Sequence, residues 1–82
     1  MINLERKEKK LVINIREICE KNNISMSELA RLSDIEPSKI SALANGKRQR
    51  LQVAHIERIC ETLNIYDANE LFTILDVDNT IK

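Results

Sequence analysis

Along the chain, apolar residues recur at spacings of three and four, interrupted by short polar stretches. Leu11, Ile15 and Ile18 with Cys19 form one stripe, Leu29 with Ala30 a second, Ile40 and Leu43 a third, and Val53, Ile56, Ile59, Cys60 and Leu63 a fourth. That pattern is one buried face of successive short helices. The first is predicted from Leu11 to about Lys21 and stops at Asn22-Asn23, because Asn accepts the left-handed backbone that ends a helix. Ile24 then tucks beneath the domain. The second spans Ser27 to Ser33, with Ser25 and Glu28 spaced as a capping box. Ser33-Asp34-Ile35-Glu36 is too short and polar for anything but a tight turn. Pro37, whose missing amide hydrogen costs nothing at a first helical position, opens the third, and Asn45-Gly46 ends it. The fourth helix has a weakly marked start after Leu51-Gln52 and stops at Asn64. Asp67 with Glu70 marks a second capping box for a short fifth, burying Leu71 and Phe72.

The ends are less regular. Met1 to Lys10 alternates in charge and reads as a charged extension, a start of helix one or a basic arm; a solvated helix end is the plainer reading. Val12 and Ile13 fall off the stripe of helix one and suggest a contact with another chain. After Phe72, residues 74–82 are rich in β-branched side chains, with Leu75 and Val77 on one side, and suit a helix end, a loose tail or a strand. A lone strand leaves backbone groups unpaired, so Ile74, Leu75, Val77 and Ile81 are the candidate dimer contact.

Composition narrows the class. With 82 residues there is room for one small domain, here residues 11–73, and 43 % hydrophobic residues with one Gly and one Pro favour an all-α fold. No apolar run approaches the roughly 20 residues of a membrane span, so the expectation is a soluble cytoplasmic protein. Cys19 and Cys60 occupy apolar helix positions and read as buried, reduced thiols; with the lone His55 they make no metal set, and no cofactor is implied. No nucleophile, base or metal constellation is present, so an enzyme is the least favoured class, and His55 reads as an ordinary helix-surface residue. The formal net charge of zero hides an uneven distribution. Residues 31–50 carry five basic against two acidic side chains, a surplus of +3; residues 61–82 carry one against five, a surplus of −4. The positive region coincides with the second and third helices, as attraction to phosphate requires.

Asn14-Ile15-Arg16-Glu17-Ile18, Ile24-Ser25, Glu28-Leu29-Ala30, Ile35, Ser38, Ile40-Ser41, Leu43, Asn45-Gly46-Lys47-Arg48, Leu63-Asn64-Ile65 and Glu70-Leu71-Phe72 together resemble the Cro/XRE family of helix-turn-helix domains. The resemblance covers about residues 11–73 and implies a five-helix, lambda-repressor-like DNA-binding domain in which the third helix enters the major groove of double-stranded DNA. Carried over by position, the base-facing sites are Pro37, Ser38, Ser41 and Ala42, with Lys39 and Arg31 within reach of base or phosphate. Ser27, Asn45, Lys47, Arg48 and Arg50 are the phosphate-positioning set. Because the base-facing side chains are small, direct readout is modest and DNA shape carries part of the specificity. The chain departs from the family at Met26, where Gln is usual, at Asp34, where the turn usually has Gly, and at Leu51-Gln52, where Pro with Ser or Thr is usual. Cys19 and Ala44 stand where the family often pairs Arg with Glu. The last two depart together, which leaves no lone buried charge.

The reading that follows is a sequence-specific transcriptional regulator, a dimeric repressor. The alternative is the DNA-binding antitoxin of a toxin-antitoxin pair, with the apolar tail holding a small protein partner.

Overall fold

A computed structural model of the protein describes residues 8–46 and 50–77. Among these residues, five helices follow in chain order: α1 (Ile15–Lys21), α2 (Met26–Ser33), α3 (Pro37–Ala44), α4 (Val53–Leu63) and α5 (Ala68–Leu71). Two strands, β1 (Lys9–Ile13) and β2 (Phe72–Asp76), bracket them and pair antiparallel.

Three helix ends are built alike, on an Asx-Ile dipeptide. Asn23, Asp34 and Asn64 each adopt a left-handed φ of 57°. The amide of the following isoleucine donates back to a carbonyl five residues earlier: Ile24 to Cys19 at 3.0 Å, Ile35 to Ala30 at 2.9 Å and Ile65 to Cys60 at 2.9 Å. This satisfies carbonyls the helix leaves unpaired and turns the isoleucine toward the core, where Ile35 and Ile65 are buried. Asp34 thus does without the family's usual glycine. The Ser25–Glu28 capping box forms as spaced, with both reciprocal bonds present.

The core is drawn from every helix. Ile15, Leu29, Ile40, Ile59 and Leu71 are the large side chains with essentially no exposure, and Ala30 at 1 % lies in α2, which packs on α3. The buried Ser33 hydroxyl donates to Thr62 Oγ1 at 3.0 Å, so the α2–α4 contact includes a satisfied polar pair.

Both ends of the chain depart from an all-α fold. Helix one begins at Ile15, not Leu11; residues 9–13 are a strand, with Lys9 opposite Asp76, Leu11 opposite Ile74 and Ile13 opposite Phe72. Val12-Ile13 and Thr73-Ile74 are β-branched, and each run supplies the partner the other lacks. The helical spacing of Leu11 with Ile15 is coincidental. Val12 and Ile13 accordingly lie on no outer helix face: both are half-buried, and Ile13 packs against the core. Asn14 fastens the sheet to the helices. Its amide donates to the Leu71 carbonyl at 2.7 Å, and its side-chain oxygen accepts from Thr73 Oγ1 at 3.1 Å.

Smaller differences follow from tertiary contacts. Helix α2 starts one residue early, at Met26. Asp67 caps α5 by accepting from the Asn69 amide at 2.9 Å, but Glu70 closes no box, because its carboxylate accepts from Lys21 at 3.2 Å. Phe72 belongs to β2 and is half-buried, and Val53, expected in the α4 stripe, is 70 % exposed because it occupies the first position of the helix. No helix of the described residues is long and apolar enough to cross a membrane.

Candidate nucleic-acid interface

Helices α2 and α3 with the turn between them form the candidate site. The turn is held from outside as well as by its own backbone: Arg58 of α4 donates to the Asp34 carbonyl at 2.9 Å. Pro37 opens α3 as its first residue, and Ile40 and Leu43 anchor the helix to the core. Those anchors set the outer side. Pro37, Ser38 and Lys39 are exposed, while Ser41 and Ala42 are half-buried on the turn that follows.

The far end of α3 carries an arrangement that the sequence reading missed. Arg16 of α1 donates to the Ala44 carbonyl at 2.9 Å and to Asn45 Oδ1 at 2.7 Å. Asn45 Nδ2 in turn donates to Ser41 Oγ at 3.2 Å. A guanidinium thus satisfies the Ala44 carbonyl at the end of α3, where the helix dipole favours a cation, and holds Asn45, which in turn bonds Ser41. Arg16 lies one turn before Cys19, on the same side of α1. Arg16 thus bonds the backbone at Ala44, the position where the resemblance places a glutamate. The i, i+3 spacing of Arg16 and Cys19 was the available signal.

Of the other expected contacts, Ser27 and Arg31 lie four residues apart on exposed α2 and share one face of it, and Arg50 is exposed ahead of α4. No hydrogen bond joins these three to the Arg16–Asn45–Ser41 group among the described residues. Lys47 and Arg48 lie outside the described residues.

The tail residues do not form one surface. Strand alternation places Ile74, 68 % exposed, with Leu11 on one face of the sheet, beside a groove of about 630 Å³ also lined by Leu51, Ala68 and Phe72. Leu75 and Val77 lie on the other face, and Ile81 lies outside the described residues. The acidic end is partly neutralised: Asp76 pairs with Lys9 and Glu70 with Lys21, so both carboxylates face N-terminal cations.

Cys19 is buried and Cys60 half-buried, both as free thiols. Burial pushes both above the ordinary thiol range, and at Cys60 the nearby Glu57 and Glu61 carboxylates add to that rise.

The model of the Cro/C1-type HTH DNA-binding domain family matches residues 14–74. Among solved structures, the fold is similar to that of a protein described as transcriptional regulator VanUg, in its Form II crystal structure. The TM-score is 0.70 at 18 % identity, covering 94 % of this chain and 100 % of that one. At that identity the likeness speaks for the fold alone. No curated protein matches the sequence at a significant level.

Proposed function

The chain belongs to the Cro/C1-type helix-turn-helix DNA-binding domain family, and on that premise we propose that it is a cytoplasmic transcriptional regulator, a repressor that reads an operator as a homodimer. The observation that carries the reading is the end of α3, where Arg16 holds Asn45 and Asn45 holds Ser41, on the helix whose first turn exposes Ser38 and Lys39. Side chains ordered before binding lose less freedom on meeting DNA. Ser38, Ser41 and Ala42 are the base-facing group in this reading, and Ser27, Asn45, Arg50, Lys47 and Arg48 the phosphate group.

Selection from a random duplex library tests it. The wild-type protein should enrich one two-fold symmetric motif, and Ser38→Arg should change the preferred base at one position per half-site, with discrimination of about 1–3 kcal/mol. Enrichment of no motif would overturn the reading. Replacing Lys47 and Arg48 with Ala should weaken binding to all sequences alike and lower the salt slope by about one for each phosphate left without its cation.

Small base-facing side chains give each α3 little to hold, which is why two copies are needed. A second copy covering Ile74 and Leu11 is the pairing we favour, since the sheet leaves both apolar side chains largely exposed. Sedimentation should then show a dimer that Ile74→Glu dissociates. Co-purification of a small partner in place of self-association would favour the antitoxin reading.

A further inference from the structure

Strand β1 closes the sheet, but its alternation also sends two adjacent lysines to opposite faces. Lys9 faces Asp76 across the register and is ion-paired with it. Lys10 stands opposite Leu75 on the other face, and its side chain runs to the end of α3. A Cβ built on Gly46 would lie 3.6 Å from Lys10 Nζ and 3.9 Å from Lys10 Cε. Gly46 has φ +71°, a backbone that glycine adopts freely, and the lysine lies at ordinary contact distance from it. An ammonium from the N-terminal strand therefore sits against the backbone just after Asn45, the residue that Arg16 fixes.

We propose that Lys10 is a DNA-backbone contact: β1 carries a phosphate-binding ammonium across the end of α3, beside Gly46. The inference rests on the DNA-binding reading above. Three features support it. Lys10 is exposed, so its charge is available to a ligand. The Arg16 guanidinium already satisfies the Ala44 carbonyl, which leaves Lys10 less to do as a helix cap. The pairing of β1 with β2 holds the strand in place, so the lysine is delivered without ordering a free arm on binding. Lysine serves here as a point charge, which suits phosphate and carries no base preference.

The test is fluorescence anisotropy on a short mixed-sequence DNA duplex, titrated at several KCl concentrations with wild type, K10A, K10R and K9A, each checked for folding by circular dichroism. K10A should reduce the slope of log K against log salt by about 0.9, the value of one phosphate contact on duplex DNA. K10R should keep the wild-type slope. K9A should keep it as well, because its ammonium is engaged on the other face of the strand. A wild-type slope in K10A overturns the inference, and if that variant also melts earlier, Lys10 only caps α3. An equal loss in K9A overturns it too, by reducing the effect to net charge. A wild-type protein with no salt-dependent binding would overturn the functional reading itself, an outcome distinct from both.

Discussion

In the helical body most helix boundaries rest on signals within a few residues, such as the Ser25–Glu28 box, Pro37, and the left-handed Asn23, Asp34 and Asn64, whereas the sheet joins Lys9–Ile13 to Phe72–Asp76 across nearly the whole chain. The two regions also bury their side chains differently. Ile15, Leu29, Ile40, Ile59 and Leu71 are sealed in the body, while the sheet docks through half-buried Ile13 and Phe72 and leaves Leu11, Ile74 and Leu75 largely wet. One region commits its apolar surface to stability, and the other keeps it on display. The body therefore fixes the geometry of α2 and α3, and the sheet is the region with surface to offer a partner.

That contrast can be broken by mutation. Leu29→Ala should destabilise by about 2–5 kcal/mol, since it opens a cavity in a close-packed interior, while Ile74→Ser should change stability by no more than about 0.5 kcal/mol in dilute protein. Urea unfolding measures both. If Ile74→Ser costs as much as Leu29→Ala, the exposed Leu11–Ile74 end of the sheet is buried in solution, and the asymmetry between the regions belongs to the isolated chain only. Ser25→Ala should cost about 1 kcal/mol by removing the cap of α2, and the same unfolding experiment reads it. Last comes Asp76→Asn, which removes the ion pair between the strands. With both side chains more than half exposed, solvent screening limits the loss to between 0 and about 1 kcal/mol, and thermal melts at low and high salt should show it shrinking as salt rises.

The thiols sharpen the same division. Because desolvation raises both, Cys19 and Cys60 should stay protonated at neutral pH and react slowly with a disulfide reagent, Cys19 more slowly than the half-buried Cys60. Denaturant should bring both to the rate of a free thiol.

Legibility in the sequence followed the same line. The Ser25–Glu28 box, Pro37 at the start of α3, and the stops at Asn23, Asp34 and Asn64 are local chemistry, and all of them form as spaced. A strand was one reading of the tail, but its pairing was not legible, because nothing within residues 9–13 reveals that Phe72–Asp76 will lie beside them; a five-residue strand with two β-branched side chains needs its partner to declare itself. Glu70 escapes a local reading for a related reason, since its carboxylate answers to Lys21 on another helix and not to the local cap. At the candidate site, the base-facing positions of α3 came from the family resemblance, while the apolar period marked only its buried side, Ile40 and Leu43. Arg16 came from neither, because its partners, the Ala44 carbonyl and the Asn45 side chain, lie nearly thirty residues away on another helix, and a carbonyl leaves no mark on the residue type.

Asn45 precedes Gly46, the pairing in which the next backbone nitrogen most readily attacks the asparagine side-chain carbonyl and expels ammonia, closing a succinimide ring that water then opens to aspartate or isoaspartate. That attack needs the amide free to swing onto the next nitrogen. Here Oδ1 accepts from Arg16, Nδ2 donates to Ser41, and the backbone rests at φ −92° and ψ 2°, near the helical region. The network that orders the end of α3 is thus also a chemical preservative. A chain held unfolded for long periods would age first at this residue, and it would refold with a carboxylate at the end of α3 in place of the amide that Arg16 and Ser41 hold.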